Sequence, residues 1–196
     1  LDDRERHLFA VDVSGGEPVP ITRQSGYALP PTDADAFTYD ISPDGTEVAF
    51  VSNVDTSGID ANYDVILLPS CGCKPARNLT SGNPASDGTP RYSPDGRWLA
   101  FSQQRTKGFY ADRARLMVLD RRSGEVRSLT ENWDRSVASA SWLPNSKALM
   151  AAVDDAAAYR LYRFDLSGAA PRAITGSSSF SGLAIGRDAA VALRQS

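Results

Sequence analysis

Residues 92–101, Tyr-Ser-Pro-Asp-Gly-Arg-Trp-Leu-Ala-Phe, join a tight turn to an apolar run, and this combination recurs twice in the chain. A longer copy precedes it at 39–50 (YDISPDGTEVAF), and a weaker one follows at 141–151 (SWLPNSKALMA). The prolines of the three turns stand 51 and 50 positions apart, at Pro43, Pro94 and Pro144. This spacing predicts one structural unit repeated about every 50 residues.

Each unit is expected to contain four short strands. In the best copy, apolar segments at 89–93, 98–102, 115–120 and 125–130 are separated by turn signals. Ser-Pro-Asp-Gly places Ser, Pro and Gly at the positions that they favour in a type I turn. Four antiparallel strands in about 40 residues form one propeller blade. The predicted fold class is therefore all-β, a β-propeller fragment of four-stranded antiparallel blades.

The repeats divide the chain into about four blade equivalents within a single partial propeller domain, 1–196. We expect a half blade at 1–22, blades at 38–80, 89–130 and 139–175, and a second half blade at 182–196. The fourth segments end in threonines 58, 50 and 45 positions apart: Thr22, Thr80, Thr130 and Thr175. An ordinary β-sandwich is the alternative.

The second strand of each unit is apolar throughout instead of alternating. The runs at 48–51 (VAFV), 98–101 (WLAF) and 148–153 (ALMAAV) show this pattern. Such a strand is covered on both faces. The pattern favours stacked blades over a sheet with one solvated face.

Charge and composition indicate neither a nucleic-acid nor a membrane partner. The 196 residues include 21 basic and 24 acidic ones, a net charge of -3, and they form no blocks of one sign. No apolar run approaches the roughly 18 residues of a membrane span. The first residues contain neither an initiator Met nor a signal-peptide pattern, which predicts a segment of a longer protein. The compartment is left open.

Cys71 and Cys73, the two cysteines, are expected to be free thiols in a turn. Residues so close in sequence seldom reach disulfide geometry without strain. With His7 as the single histidine, a tetrahedral zinc site lacks ligands. The loop at 53–64 lacks the terminal Glu of a helical calcium loop. No metal and no cofactor are predicted.

The connections between strands differ in length according to their face. Turns between first and second strands and between third and fourth strands are short. The long connections, at 23–38, 53–62, 81–88, 103–114, 131–138 and 176–182, all belong to the opposite side of the blades, here called the long-loop face. Long loops on a rigid scaffold usually carry binding residues.

Two clusters on this face are candidates for recognition of a substrate or partner. One contains Phe109, Tyr110 and Arg113, and the other contains Glu131, Trp133, Asp134 and Arg135. Trp and Arg on a loop are typical anchors for a peptide or a partner domain. The alternative is structural: Trp133 packs on the next blade, and Asp134 and Arg135 bridge two blades.

No catalytic residue is predicted in this chain. The segment Gly176-Ser-Ser-Ser-Phe-Ser-Gly182 does not fit a Gly-x-Ser-x-Gly nucleophile elbow. His7 lies in a strand pattern beside Leu8 and Phe9, and we expect a core or rim residue there. A Ser-His-Asp triad within the chain is therefore not expected.

The strings YDISPDGTEVAFVSN, PRYSPDGRWLAFSQQ, ADRARLMVLDRRSG and ENWDRSV resemble the propeller of prolyl oligopeptidase family serine peptidases, of the acylaminoacyl and dipeptidyl peptidase branch. The resemblance implies a separate C-terminal α/β-hydrolase domain as partner, with the Ser-Asp-His triad, and a propeller that admits peptide substrates to it. The paired glutamates with which some dipeptidyl peptidases hold a substrate amino terminus are not evident, since Glu131 stands alone. TolB-like propellers share the SPDG repeats, and a non-enzymatic scaffold that binds proteins is the rival interpretation.

An open arc of four blade equivalents would expose apolar sheet faces. We therefore expect the two half blades to pair, either within one chain or between two copies as a homodimer.

Overall fold

The structure, a computed structural model, describes residues 5–30, 37–55 and 62–195. Every regular element in these ranges is a β-strand, which confirms the predicted all-β class. The strands are β1 (Phe9–Ala10), β2 (Val19–Pro20), β3 (Tyr39–Ile41), β4 (Glu47–Asn53), β5 (Tyr63–Pro69), β6 (Arg77–Asn78), β7 (Asp87–Tyr92), β8 (Trp98–Gln103), β9 (Arg115–Asp120), β10 (Val126–Ser128), β11 (Ser141–Trp142), β12 (Ala148–Asp155), β13 (Ala158–Asp165), β14 (Arg172–Ala173), β15 (Ser179–Ile185) and β16 (Ala190–Gln195).

The strands form three four-stranded sheets and two hairpins. β3–β6, β7–β10 and β11–β14 each pair in sequence order, and every pairing is antiparallel. We call these the first, second and third blades. β1–β2 forms the N-terminal hairpin and β15–β16 the C-terminal hairpin. The second blade begins at Asp87, two residues before the expected 89, and the C-terminal hairpin begins at Ser179 instead of 182.

The SPDG turns close through side chains within the turn. In the second blade, the Ser93 hydroxyl donates to Asp95 Oδ1 at 2.6 Å and accepts the Trp98 amide at 2.9 Å. Gly96 adopts φ +68°, a conformation that glycine reaches without a Cβ penalty. In the third copy Ser146 takes the same position at φ +57°. The third turn thus keeps the backbone conformation although serine replaces the glycine.

The threonines that close each repeat have one shared structural role. Each hydroxyl accepts a backbone amide in the first half of a third strand or just before it, at 2.9–3.0 Å. The pairs are Leu8–Thr22, Val65–Thr80, Leu116–Thr130 and Leu161–Thr175. The first three hydroxyls belong to buried residues. The sequence period therefore reflects a hydrogen bond that each unit needs at its third strand.

The hydrophobic core lies between neighbouring blades. Leu99 and Phe101 of β8 pack in a cluster with the first blade, whereas Ala100 between them packs in a cluster with the third. The second strand is thus covered on both faces, as its continuous apolar pattern predicts. Val191 and Leu193 of β16 are each 70% exposed, because no further blade covers this hairpin among the described residues.

Polar contacts join the first strands of neighbouring blades. Asp40 Oδ2 accepts the Tyr92 amide at 2.8 Å, and Trp142 Nε1 donates to the Arg91 carbonyl at 2.9 Å. The Tyr92 hydroxyl also donates to Glu47 Oε1 at 2.8 Å. Burial and this carboxylate raise the pKa of Tyr92, so the hydroxyl remains a donor. These bonds link successive blades.

The expectation of free thiols is wrong. Cys71 and Cys73 form a disulfide with an S–S distance of 2.03 Å. Gly72 between them adopts φ +62°, which folds the chain so tightly that the two Cα atoms lie 5.1 Å apart. That separation is ordinary for a disulfide. The prediction from sequence spacing did not consider that a glycine in this conformation brings the two cysteines together.

Some predicted segments extend beyond the residues that the structure describes. Residues 1–4 of the predicted N-terminal half blade, 31–36 and 56–61 of two long connections, and residue 196 lie outside the described residues. His7 is half-buried, with Nδ1 3.2 Å from the Thr22 hydroxyl oxygen, which agrees with a rim position. The described ranges contain no helix able to cross a membrane. Nothing in them supports the expected homodimer.

Candidate functional site on the long-loop face

Three connections on the long-loop face lie against one another. The segments 79–86, 104–114 and 129–140 are joined by backbone hydrogen bonds from Gln104 to Ser86, at 2.9 Å, and from Val137 to Ala114, at 2.8 Å.

The third blade has no long connection between its second and third strands, because only Ala156 and Ala157 join β12 to β13. Both have positive φ, as a tight hairpin turn requires.

The connection 104–114 is ordered by a carboxylate at its centre. Asp112 Oδ2 accepts the amides of Arg105 and Thr106 at 2.6 and 2.9 Å. These contacts hold the turn that carries Phe109 and Tyr110, which are 54% and 88% exposed. Two aromatic side chains are therefore presented to solvent on a loop that already has its own hydrogen bonds.

The Arg113 side chain binds the backbone of the neighbouring connection, 129–140, instead of pointing to an external partner. Its guanidinium donates to the carbonyl oxygens of Thr130, at 2.8 Å, and Glu131, at 2.7 Å, and also to that of Trp133. Three carbonyls on one guanidinium fix the backbone of 130–133. Arg113 is a structural brace between two loops.

Glu131 pairs with Arg105 in a two-point contact at the surface. Arg105 Nη1 and Nη2 lie 2.6 and 2.7 Å from the two carboxylate oxygens. The hydrogen bonds from Arg105 lower the pKa of Glu131. The side chains are 42% and 46% exposed, so solvent screens the pair and its effect on stability is small. It links the connections 104–114 and 129–140.

Trp133 packs on the third blade, as the structural alternative held. Its ring centroid lies 4.9 Å from that of Tyr162 and 5.5 Å from that of Phe164. Both partners belong to β13. Aromatic pairs in such tilted and edge-on arrangements stabilise an interface between elements.

Arg135 bridges the inter-blade connection to the end of β12. Its guanidinium contacts Asp155 Oδ1 at 3.1 Å and Asp134 Oδ1 at 2.6 Å. The Tyr162 hydroxyl donates to the other Asp155 oxygen at 2.7 Å. The Tyr162 hydroxyl first, and then Arg135, lower the pKa of Asp155. Arg135 thus ties the connection 129–140 to the third blade, whereas Asp134 contacts Arg135 and no other blade among the described contacts.

The sequence interpretation missed a buried polar cluster at the base of this face. Asp87, only 3% exposed, accepts Asn83 Nδ2 and Gln103 Nε2, each at 2.9 Å. Burial raises its pKa from 3.8 to about 7, despite these hydrogen bonds. Asp64, also buried, accepts Asn78 Nδ2 at 2.6 Å, and burial raises its pKa as well. The only signal in the sequence is an acidic residue at the start of a strand.

Asp87 also lines a cavity of about 270 Å³ between the first and second blades. Thr89 on its wall has φ +50°, a rare conformation for a β-branched residue. Its hydroxyl donates to the Ala138 carbonyl at 2.8 Å, which links the wall to the connection 129–140. The described residues of the wall are Pro30, Phe37, Thr38, Val51, Tyr63, Asp87, Gly88 and Thr89.

The recognition surface of the long-loop face consists mainly of exposed aromatic side chains. Within the described ranges, no group of three or more His, Cys, Asp or Glu side chains is placed to hold a metal ion. Of the seven predicted residues, Phe109 and Tyr110 present exposed surface, and Glu131 pairs with Arg105. Arg113, Trp133 and Arg135 hold the loops and blades together, and Asp134 pairs with Arg135.

Sequence comparison places the chain near one group of peptidases. No protein-family model matches it. Dipeptidyl-peptidase 5 from Aspergillus fumigatus is 33% identical over 141 residues, which are 65% of this chain and 19% of that protein. Dipeptidyl-peptidase 5 from Trichophyton schoenleinii is 27% identical over 136 residues, 63% of this chain and 19% of that protein. The matched region is thus a small part of each relative.

Solved structures share the fold at lower identity. A puromycin hydrolase superposes with a TM-score of 0.70 at 19% identity, covering 97% of this chain and 32% of that one. TolB from Acinetobacter baumannii superposes with a TM-score of 0.58 at 16% identity, covering 89% and 40%. The chain is therefore a sequence relative of dipeptidyl-peptidase 5 with the β-propeller fold found in prolyl oligopeptidase family (S9) peptidases and in TolB.

Proposed function

We propose that this chain is propeller sequence of a prolyl oligopeptidase family serine peptidase and that it controls the access of peptides to a separate α/β-hydrolase domain. The observation that carries the proposal is the similarity to dipeptidyl-peptidase 5 over 141 residues. In this proposal the units at 1–22, 38–80, 89–130, 139–175 and 182–196 are consecutive parts of one propeller. The hydrolase domain supplies the catalytic residues, and this chain supplies none.

The long-loop face is assigned to the hydrolase domain. Its connections 104–114 and 129–140 are held by Asp112 and Arg113, so little conformational entropy is lost when a partner docks on them. Phe109 and Tyr110 project from this support and have the character of interface anchors. A rigid face over a catalytic site excludes bulk water and admits only narrow substrates.

The test uses the full-length protein that contains this chain. We expect Phe109→Ala with Tyr110→Ala to loosen the contact with the hydrolase domain and so widen the range of peptide lengths cleaved. The measurement is kcat/KM for a series from a chromogenic dipeptide to peptides of 20 residues. The relative rate for the longest peptides should rise several-fold.

Val13→Ala is the matched control, because Val13 is fully exposed in the turn between β1 and β2, on the opposite face. It should leave the length profile of the wild-type protein unchanged. If the aromatic variant also keeps that profile, the long-loop face does not meet the hydrolase domain. Far-UV circular dichroism of each variant separates this outcome from unfolding.

A non-enzymatic scaffold of the TolB type is the second candidate, favoured by the superposition on TolB. The two functions differ in whether the complete protein contains a catalytic domain downstream of this region. A fluorophosphonate probe labels the active serine of a peptidase, and we expect labelling of the full-length protein that a Ser→Ala change in a downstream Gly-x-Ser-x-Gly segment removes. A full-length protein without such a segment, and without labelling, would identify the scaffold.

A further inference from the structure

The disulfide Cys71–Cys73 lies on the face opposite the long loops, in the connection between β5 and β6. Both cysteines are exposed, and the described residues contain no free thiol. Because the two cysteines are separated by one residue, the bond joins no two strands. Cross-links that close so short a loop remove little entropy from the unfolded chain. The bond therefore adds little to the stability of the fold.

The turn around the disulfide is held by bonds that do not involve sulfur. The Gly72 amide donates to the Pro69 carbonyl at 2.8 Å, and Ser70 donates to the carbonyls of Thr46, from its amide at 2.9 Å, and Gly45, from its hydroxyl at 2.5 Å. None of these contacts requires the sulfur–sulfur bond. The two sulfurs should therefore stay close together in the reduced protein, and re-formation of the bond is then intramolecular and needs no large movement.

The two sulfurs are not equivalent. The backbone amide of Cys73 donates to Cys71 Sγ at 3.3 Å. An N–H directed at this sulfur stabilises negative charge on it and makes Cys71 the better leaving thiolate. The geometry therefore distinguishes the sulfur that is attacked from the sulfur that leaves.

We propose that Cys71-Gly72-Cys73 is a thiol–disulfide exchange site for small thiols of the glutathione type. A thiolate attacks Cys73 Sγ, the Cys71–Cys73 bond breaks, and Cys71 leaves as a thiolate. A second thiolate attacks the external sulfur of the mixed disulfide, which releases the oxidised small-molecule disulfide and the Cys73 thiolate. In total, one protein disulfide and two thiols yield one protein dithiol and one small disulfide. In the reverse direction, the Cys71 thiolate resolves the mixed disulfide on Cys73.

The turn also touches the neighbouring hairpin, so the redox state has a structural readout. A Cβ built on Gly72 would lie 3.4 Å from the Ile21 carbonyl oxygen, which shows how closely the turn approaches the end of β2. Ile21 is part of the cluster that joins the N-terminal hairpin to the first blade. Reduction should alter amide hydrogen exchange at 19–22 and leave the third blade unchanged.

The test is a redox titration of the protein purified without reductant. Protein equilibrated with mixtures of reduced and oxidised glutathione is quenched with acid, alkylated and weighed by mass spectrometry. We expect no alkylation in oxidised glutathione, two labels in excess reduced glutathione with an unchanged far-UV circular dichroism spectrum, and full reversal. In the reduced protein, Cys71 should be alkylated several-fold faster than Cys73 at neutral pH.

A single and a double cysteine variant test the direction of attack. Cys71→Ser should retain one glutathione on Cys73, because the resolving thiolate is absent, and the double variant Cys71→Ser with Cys73→Ser should take up none. Two alkylatable thiols in protein that was never reduced would overturn the proposal. A disulfide that resists excess dithiothreitol in the folded protein would overturn it equally. Equal alkylation rates at the two cysteines would refute the assigned order of attack.

Discussion

Replacing Asp87 with Asn should change how the stability of this protein depends on pH. The folded-state pKa of Asp87 is about 7, against an ordinary value of 3.8. As pH rises through 3.8 the unfolded chain loses this proton, whereas the folded protein keeps it until about pH 7. The unfolded state is therefore favoured progressively over this window, and Asp87 lowers the free energy of unfolding as pH rises.

The size of the effect follows from the displacement of the pKa. At about 1.4 kcal/mol for each pH unit, the full penalty is about 4 kcal/mol above pH 7, of which about 3 kcal/mol develops between pH 5 and pH 8. Asn carries no charge, but its NH2 group cannot accept the hydrogen bond that one carboxyl oxygen of Asp87 takes from Asn83 or Gln103, so Asp87→Asn should be less stable than the wild-type protein at pH 4 by about 1–3 kcal/mol. Between pH 4 and pH 8 the variant should gain several kcal/mol relative to the wild-type protein.

Urea denaturation followed by tryptophan fluorescence at pH 4, 5, 6, 7 and 8 measures this difference. Asp44→Asn is the control, since hydrogen bonds from Ser42 and Thr46 lower the pKa of Asp44 to about 2. That carboxylate is ionised in both states from pH 5 upwards, so the difference from the wild-type protein should stay constant there. If the difference for Asp87→Asn is constant as well, burial does not raise the pKa of Asp87.

Three further substitutions test the contacts between strands and blades. Thr130→Val leaves the buried Leu116 amide without its acceptor, and the free energy of unfolding in urea should fall by about 1–3 kcal/mol. Trp142→Phe removes the bond to the Arg91 carbonyl and should cost about 1 kcal/mol, measured in the same way; no loss would mean that water replaces the indole. Trp133→Ala deletes the ring that packs on the third blade, and calorimetry should show a loss of about 2–4 kcal/mol, most of which Trp133→Phe should restore.

The local structure of the blades could be predicted from the sequence because its causes lie within a few residues. Ser93, Asp95 and Gly96 close their turn with their own side chains and backbone. The apolar run at 98–101 is covered on both faces, and the period of about 50 residues implied the blades that cover it. Cys71 and Cys73 were predicted wrongly as free thiols, because their pairing depends on the backbone conformation of Gly72 and not on sequence distance.

The candidate site was predicted only as a location. Exposed Phe109 and Tyr110 follow from a long polar connection that carries aromatic residues. Trp133 and Arg113 lie on connections of the same kind, yet Trp133 packs on Tyr162 and Arg113 binds three carbonyls. Loop composition does not distinguish a side chain that points outward from one that braces its neighbour.

The strands, their turns, the repeat and the face that carries the long connections could be predicted from the residues, because short-range hydrogen bonds and periodic burial leave direct patterns in them. Three features are visible only in the folded chain: Arg135 reaches Asp155, Asp87 is buried among amides, and the two sulfurs meet across Gly72. These features depend on distances and solvent exclusion between segments, or on one backbone angle, and such quantities arise only when the blades stack and the turn closes.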